Sequence, residues 1–165
     1  MFAYVDVASL LAWIIFVTWQ QWPLSRKDIV WYEKGGHARV PSYVFPIVWS
    51  ILHALVVASH FLYFHFASDS TGDWKFITSL VLSIVNLLLA QYWTFFFFKM
   101  RTIRIAFIVA LLLLATAAAN VTIMGLSADI VGSLWALPMA LYIPYVMWLA
   151  FACSLNYDWI KYYSV

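Results

Sequence analysis

Three of the four histidines, His53, His60 and His65, fall within a single apolar stretch of the chain. His53 and His60 are seven residues apart and share nearly one face of a helix. Polar groups inside an apolar span are costly and turn toward the bundle interior, which makes them functional candidates. A bis-histidine haem needs ligands from two helices, and no other apolar stretch offers a histidine. A single axial ligand from His53 stays open, beside a histidine hydrogen-bonded to a neighbouring helix. A retinal Schiff base needs a lysine in mid-helix, and none stands there. Proton or ion pumping calls for acidic groups at mid-membrane, whereas Asp6 and Asp158 lie near span ends and Asp129 lies between spans. No Ser-His-Asp set, carboxylate pair or metal-ligand cluster can be drawn, and the lone Cys153 excludes an intrachain disulfide framework.

What remains is aromatic and amide chemistry. Trp49 and His53 are one turn apart, and Asn86 and Trp93 share a helix face at seven-residue spacing. Trp148, Phe151, Ala152 and Leu155 form another stripe, and Asn86 and Asn156 place amides within apolar helices. Facing one another, these groups would make an apolar pocket with a few polar anchors, the usual makeup of a small-molecule site. A planar hydrophobic ligand would stack on the indole faces. The alternative, tryptophan stripes that only pack helix on helix, has the same periodicity.

The elements that must position these groups are membrane spans. Of 165 residues, 66% are hydrophobic and 10% charged, against roughly 25% charged in soluble domains. The apolar blocks match the ~20 residues a helix needs to cross a bilayer. Five spans are expected in one domain covering 1–165, at about 4–22, 43–67, 74–98, 105–126 and 130–157. The first is read as a mature span rather than a cleavable signal. Helices are the default because every spanning backbone group must be satisfied internally. The fold class is therefore all-α: an integral membrane bundle of five transmembrane helices, with the loop 23–42 between the first two as a candidate lid or interfacial segment. Eight of nine basic residues fall on one side of this arrangement, and Lys75 stands alone on the other. Basic loops stay cytoplasmic, which puts the N-terminus outside and the C-terminus inside; which membrane is involved is left open. The net charge of only +2 argues against nucleic acid as a partner. The small pair Ser79 and Ser83 suits either close dimer packing or packing within the chain.

At three places the sequence resembles the tryptophan-rich sensory protein/translocator protein family. Trp31-Tyr32, followed by Val40-Pro41-Ser42-Tyr43-Val44-Phe45-Pro46-Ile47-Val48-Trp49, is similar to the family's entry into its second helix. Asn86-Leu87-Leu88-Leu89-Ala90-Gln91-Tyr92-Trp93, with Thr94 and four phenylalanines, is similar to its third. Ile143-Pro144-Tyr145-Val146-Met147-Trp148-Leu149-Ala150-Phe151-Ala152, then Leu155-Asn156-Tyr157, is similar to its fifth. The departures are specific. Val40-Pro41 replaces a double proline, Tyr43 a tryptophan, His53 a tyrosine and Ala90 an asparagine, while Ile105 and Val109 stand where tryptophan and aspartate are common.

The resemblance implies a pocket inside the bundle, covered by the loop 23–42. Tyr32, Pro41, Trp49, His53, Asn86, Trp93, Trp148, Phe151 and Asn156 would line or support it. It implies binding of porphyrin-type tetrapyrroles, haem included, as ligands rather than obligatory cofactors, with membrane lipids around the bundle and a homodimer as the assembly. Two other functions come with it. One is light-dependent porphyrin breakdown through Trp49 and Trp148. The other is sterol or lipid carriage, for which Leu155, Tyr157 and Lys161 fit a proposed cholesterol pattern.

Overall fold

The computed structural model of the chain describes residue 14, residues 24–35 and residues 40–163; the span expected at 4–22 lies outside them, apart from Ile14. The described residues are helical, with no strand among them. A short helix α1 (Arg26–Lys34) is followed by long helices α2 (Val44–Phe66), α3 (Trp74–Thr94) and α4 (Ile103–Gly125). A four-residue helix α5 (Ala128–Val131) then precedes the last long helix, α6 (Ala136–Tyr163). Four of these are long and apolar enough to cross a membrane: Val44–Phe66, Trp74–Lys99, Ile103–Gly125 and Ala136–Tyr162.

Local chemistry sets the boundaries. Ser25 caps α1 through a reciprocal capping box: its hydroxyl accepts from the Asp28 amide, and the Asp28 carboxylate accepts from the Ser25 amide. Such a box satisfies two of the orphan donors at a helix start. Asp73 caps α3 by accepting from the Lys75 amide at 2.7 Å. At its other end α3 widens into a π-helical turn, Phe95–Lys99, and Arg101 closes the run in the left-handed region (φ 55°).

Two boundaries correct the sequence reading. Within the fifth span, read as 130–157, the long helix begins only at Ala136, because Gly132 takes φ 78° and a short 3-10 turn follows α5. Hydropathy is blind to that break, since Ile130 and Val131 are as apolar as the span itself. The helix also continues to Tyr163, because Trp159, 1% exposed, is held in the core among Trp31, Tyr32 and Phe97. The loop 23–42, meanwhile, contains a helix.

The extensive packing runs from α3 to α4, from α4 to α6 and from α6 to α2, whereas α2 and α3 share far less. Where α2 and α3 do meet, polar groups join them. His60 of α2 sits 2.8 Å from the Ser83 hydroxyl of α3, and Asn120 of α4 donates to Ser83 at 3.0 Å while accepting from Ser79 at 2.7 Å. Ser79 and Ser83 are both fully buried within the chain, so the dimer-packing use of that pair is overturned in favour of packing within the bundle. The α5 end is tied by Tyr63 to Ser127 at 2.9 Å and by an ion pair of Lys75 with Asp129. Lys75 holds the Asp129 carboxyl below the usual carboxylate range.

Candidate functional site: an aromatic cavity beneath a short helix

At the opposite end, where α2 and α3 stand apart, a cavity of about 440 Å³ opens between them beneath α1. From α1 and the residues leading into it come Leu24, Ile29 and Tyr32. From α2 and the residues before it come Ser42, Tyr43, Phe45, Pro46, Trp49 and His53, and from α3 and its π turn come Ala90, Trp93, Thr94 and Phe98. Phe45, Trp49 and His53 recur every four residues, which puts them on one stripe of α2. On α3 the regular helix carries Ala90, Trp93 and Thr94 to the cavity. The π turn brings both Phe97 and Phe98 inward, 4% and 5% exposed, with Phe97 stacked on Trp93 at 5.7 Å and Phe98 edge-on to it at 6.2 Å.

The rings set the character of the cavity. Trp49 lies 6.2 Å from Trp93 and 5.3 Å from His53, centroid to centroid. Among the described residues, the lining contains no carboxylate, ammonium, guanidinium, thiol or thioether. Its hydroxyls are largely engaged. Tyr32 donates to the Val40 carbonyl at 2.9 Å, Ser42 donates to Glu33, and Thr94 donates to the Ala90 carbonyl at 3.2 Å. Burial pushes the Tyr32 phenol up to about 12, so it stays a neutral donor in any physiological medium.

Two amides support the rings from outside the lining. Trp93 donates its indole N–H to Asn156 Oδ1 at 3.4 Å, and the Asn156 amide is anchored on the Ala152 carbonyl at 2.9 Å. Asn86 donates to the Leu113 carbonyl and to Thr116, each at 2.8 Å, and accepts from Tyr145 at 2.6 Å. The Tyr145 ring in turn meets Trp49 edge-on at 6.1 Å. Of the residues singled out from the sequence, Tyr32, Trp49, His53 and Trp93 thus come together at the cavity, while Asn86 and Asn156 lie behind it. Trp148 packs against Phe45 at 6.3 Å and Phe151 at 5.4 Å, outside the lining, and its indole nitrogen is buried without a hydrogen-bond partner among the described residues. Phe151 is 39% exposed, and Pro41 is exposed beside α1. Leu155 is buried, whereas Tyr157 stands half-exposed on the outer face with the Lys161 ammonium 4.7 Å from its ring centre. Tyr157 and Lys161 of the sterol pattern therefore belong to the outer surface, apart from the cavity, while Leu155 packs in the core. The lining residues Phe45, Ala90 and Thr94 follow helical spacing from Trp49 and Trp93 and were within reach of the sequence. Phe98 was not, because its inward turn depends on the π geometry.

The cover of the cavity is fastened by charge and by rings. Lys99 donates to the buried Asp28 carboxylate, and Arg101 lies 5.0 Å from the Trp31 ring centre. Trp159 is 5.0 Å from Trp31 and stacks on Tyr32 at 5.4 Å with planes 18° apart. Burial opposes ionisation of Asp28, but hydrogen bonds from Lys99 and Ser25 outweigh it and hold the carboxyl below its ordinary value. A Cβ on Gly35 would fall 2.5 Å from Trp159 Cη2, so this close approach requires glycine.

A helical bundle with membrane-spanning helices and an internal tryptophan-lined cavity under a short connecting helix defines an integral, multi-pass membrane protein with a place for an apolar guest. The chain belongs to the TspO/MBR family, whose sequence profile matches residues 7–161, nearly its whole length. No curated protein and no solved structure matches the chain.

Proposed function

We propose that this protein binds porphyrin-type tetrapyrroles, or flat lipophilic molecules of similar shape, in the cavity beneath α1. The observation that carries this reading is the pair of neighbouring indoles, Trp49 and Trp93, 6.2 Å apart in a largely aromatic and aliphatic lining. A cavity of this size lies in the range of small-molecule sites, and aromatic faces favour a flat, polarisable guest. Its position suits an amphiphile: the same end of the bundle carries Arg26, Lys27, Lys34, Lys99 and Arg101, cations for the acidic substituents of such a ligand. Family membership supports a ligand-binding or sensory role. With the basic end in the cytoplasm, the ligand would be taken up on that side.

The test is titration of the detergent-solubilised protein with a metal-free porphyrin, followed by quenching of tryptophan fluorescence. Trp49→Ala and Trp93→Ala are each expected to weaken binding roughly tenfold, the equivalent of ~1.4 kcal/mol of stacking. Wild-type affinity in both variants would show that the ligand sits elsewhere.

A further inference from the structure

We infer that His53 is an axial ligand for a metal-bearing tetrapyrrole, so that the cavity distinguishes metallated from metal-free forms of its guest; this rests on the tetrapyrrole reading above. The three histidines of α2 have separate surroundings. His60 is buried in the polar network with Ser83 and Asn120, and His65 stacks on Phe61 at 5.8 Å. Only His53 reaches the cavity. Among the described lining residues it is also the one side chain of a type that commonly holds haem iron without first losing a proton. The described lining residues offer no thiolate and no thioether, and the buried phenol of Tyr32 is committed to the Val40 carbonyl.

The ring geometry gives the coordination a recognisable signature. The Trp49 ring lies 5.3 Å from that of His53 with planes 34° apart, so the indole backs the imidazole and limits its rotation. A macrocycle bound through an imidazole nitrogen stands across the imidazole plane and would meet Trp49 steeply inclined. A metal-free guest is under no such constraint and is free to lie on the indole faces. Trp49 therefore matters more to the metal-free ligand, and His53 more to the metallated one.

The experiment titrates the full chain in detergent with ferric haem and, in parallel, with metal-free protoporphyrin. The variants are His53→Phe, which keeps a ring against Trp49, and His53→Ala with and without added imidazole. Expected is a loss of haem affinity of at least about tenfold in both variants, since even outer-shell changes at metal-ligating histidines cost ~10–100-fold. The Soret band should shift, and free imidazole should restore it in His53→Ala. Metal-free porphyrin should lose much less affinity than haem in His53→Phe, and an unchanged far-UV helical signal shows that this variant is folded. Unchanged haem affinity and Soret position in His53→Phe would overturn axial ligation while leaving the tetrapyrrole reading intact. Equal loss of both ligands in His53→Phe would overturn it too, reducing His53 to packing. A wild-type protein that binds neither compound would remove both the ligation and the reading beneath it.

Discussion

At the scale of single residues, the chemistry of this chain is divided between rings that face the cavity and amides that stand behind them. Asn86 shows what the amides do: three hydrogen bonds tie it to two residues of α4 and to Tyr145 of α6. Replacing it with leucine would strip the Tyr145 phenol of its acceptor, while the Leu113 carbonyl keeps the hydrogen bond from Thr116. Interhelical hydrogen bonds in membranes contribute ~0.6 kcal/mol on average and at most about 1.7, so Asn86→Leu should lower stability by about 1–2 kcal/mol, read from denaturant unfolding in detergent. An unmoved midpoint would mean that the network positions helices without stabilising them. Tyr157 and Lys161 provide the contrasting case on the outer face. If the cavity holds the ligand, Tyr157→Ala should leave porphyrin affinity within about twofold of wild type, because lone surface changes rarely reach a packed site. A fall as large as that for Trp49→Ala would move the site to the outer surface.

Among the elements, α1 is the one whose docking depends on a few contacts that can be addressed singly. Gly35→Ala drives a methyl group into Trp159. It should undock the helix and expose Trp31 and Trp159 to an aqueous quencher such as iodide; quenching equal to wild type would show that the indole can step aside. The ion pair of Asp28 with Lys99 gives a pH dependence of defined sign. The folded carboxyl titrates below its unfolded value, so its contribution to docking is fully present above pH ~4 and is lost as pH falls through the depressed folded value. Iodide quenching of wild type should therefore be flat from pH 7 to 5 and rise only in stronger acid, whereas Lys99→Gln should already show the raised level at pH 7. A rise in wild type between pH 7 and 5 would assign the latch to another group. Helix α1 also marks how far the sequence could be read. The long helices α2, α3 and α4 are plain in it, because apolar blocks of bilayer length have few other uses. The capping residues Ser25 and Asp28 were equally present, but they sit in a segment too polar to be noticed by hydropathy. Trp49, His53 and Trp93 could be grouped by spacing and by the family resemblance. That Trp148 and Phe151 lie outside the described cavity lining, Trp148 packed against Phe45, could not be foreseen, since a stripe of aromatics does not reveal which neighbour it meets.

The whole molecule has two unlike ends, with most cations gathered beside the cavity and the Lys75–Asp129 pair at the other. If the basic end is cytoplasmic, a membrane-impermeant maleimide applied outside intact cells should label Ser70→Cys and spare Arg101→Cys. Cys153, 7% exposed, should contribute little background. The reverse pattern would invert the orientation. The π turn at Phe95–Lys99 links local geometry to this larger plan. One extra residue in a helical turn is what an insertion leaves behind, and removing a single phenylalanine from the run of four would let the helix relax to its regular pitch. Composition would scarcely change, and a hydropathy profile would not register the loss. Yet everything beyond would rotate by about a quarter turn or more, carrying Phe98 off the cavity and Lys99 away from Asp28. In this stretch the chain should tolerate exchange of one apolar side chain for another far better than a change in their number.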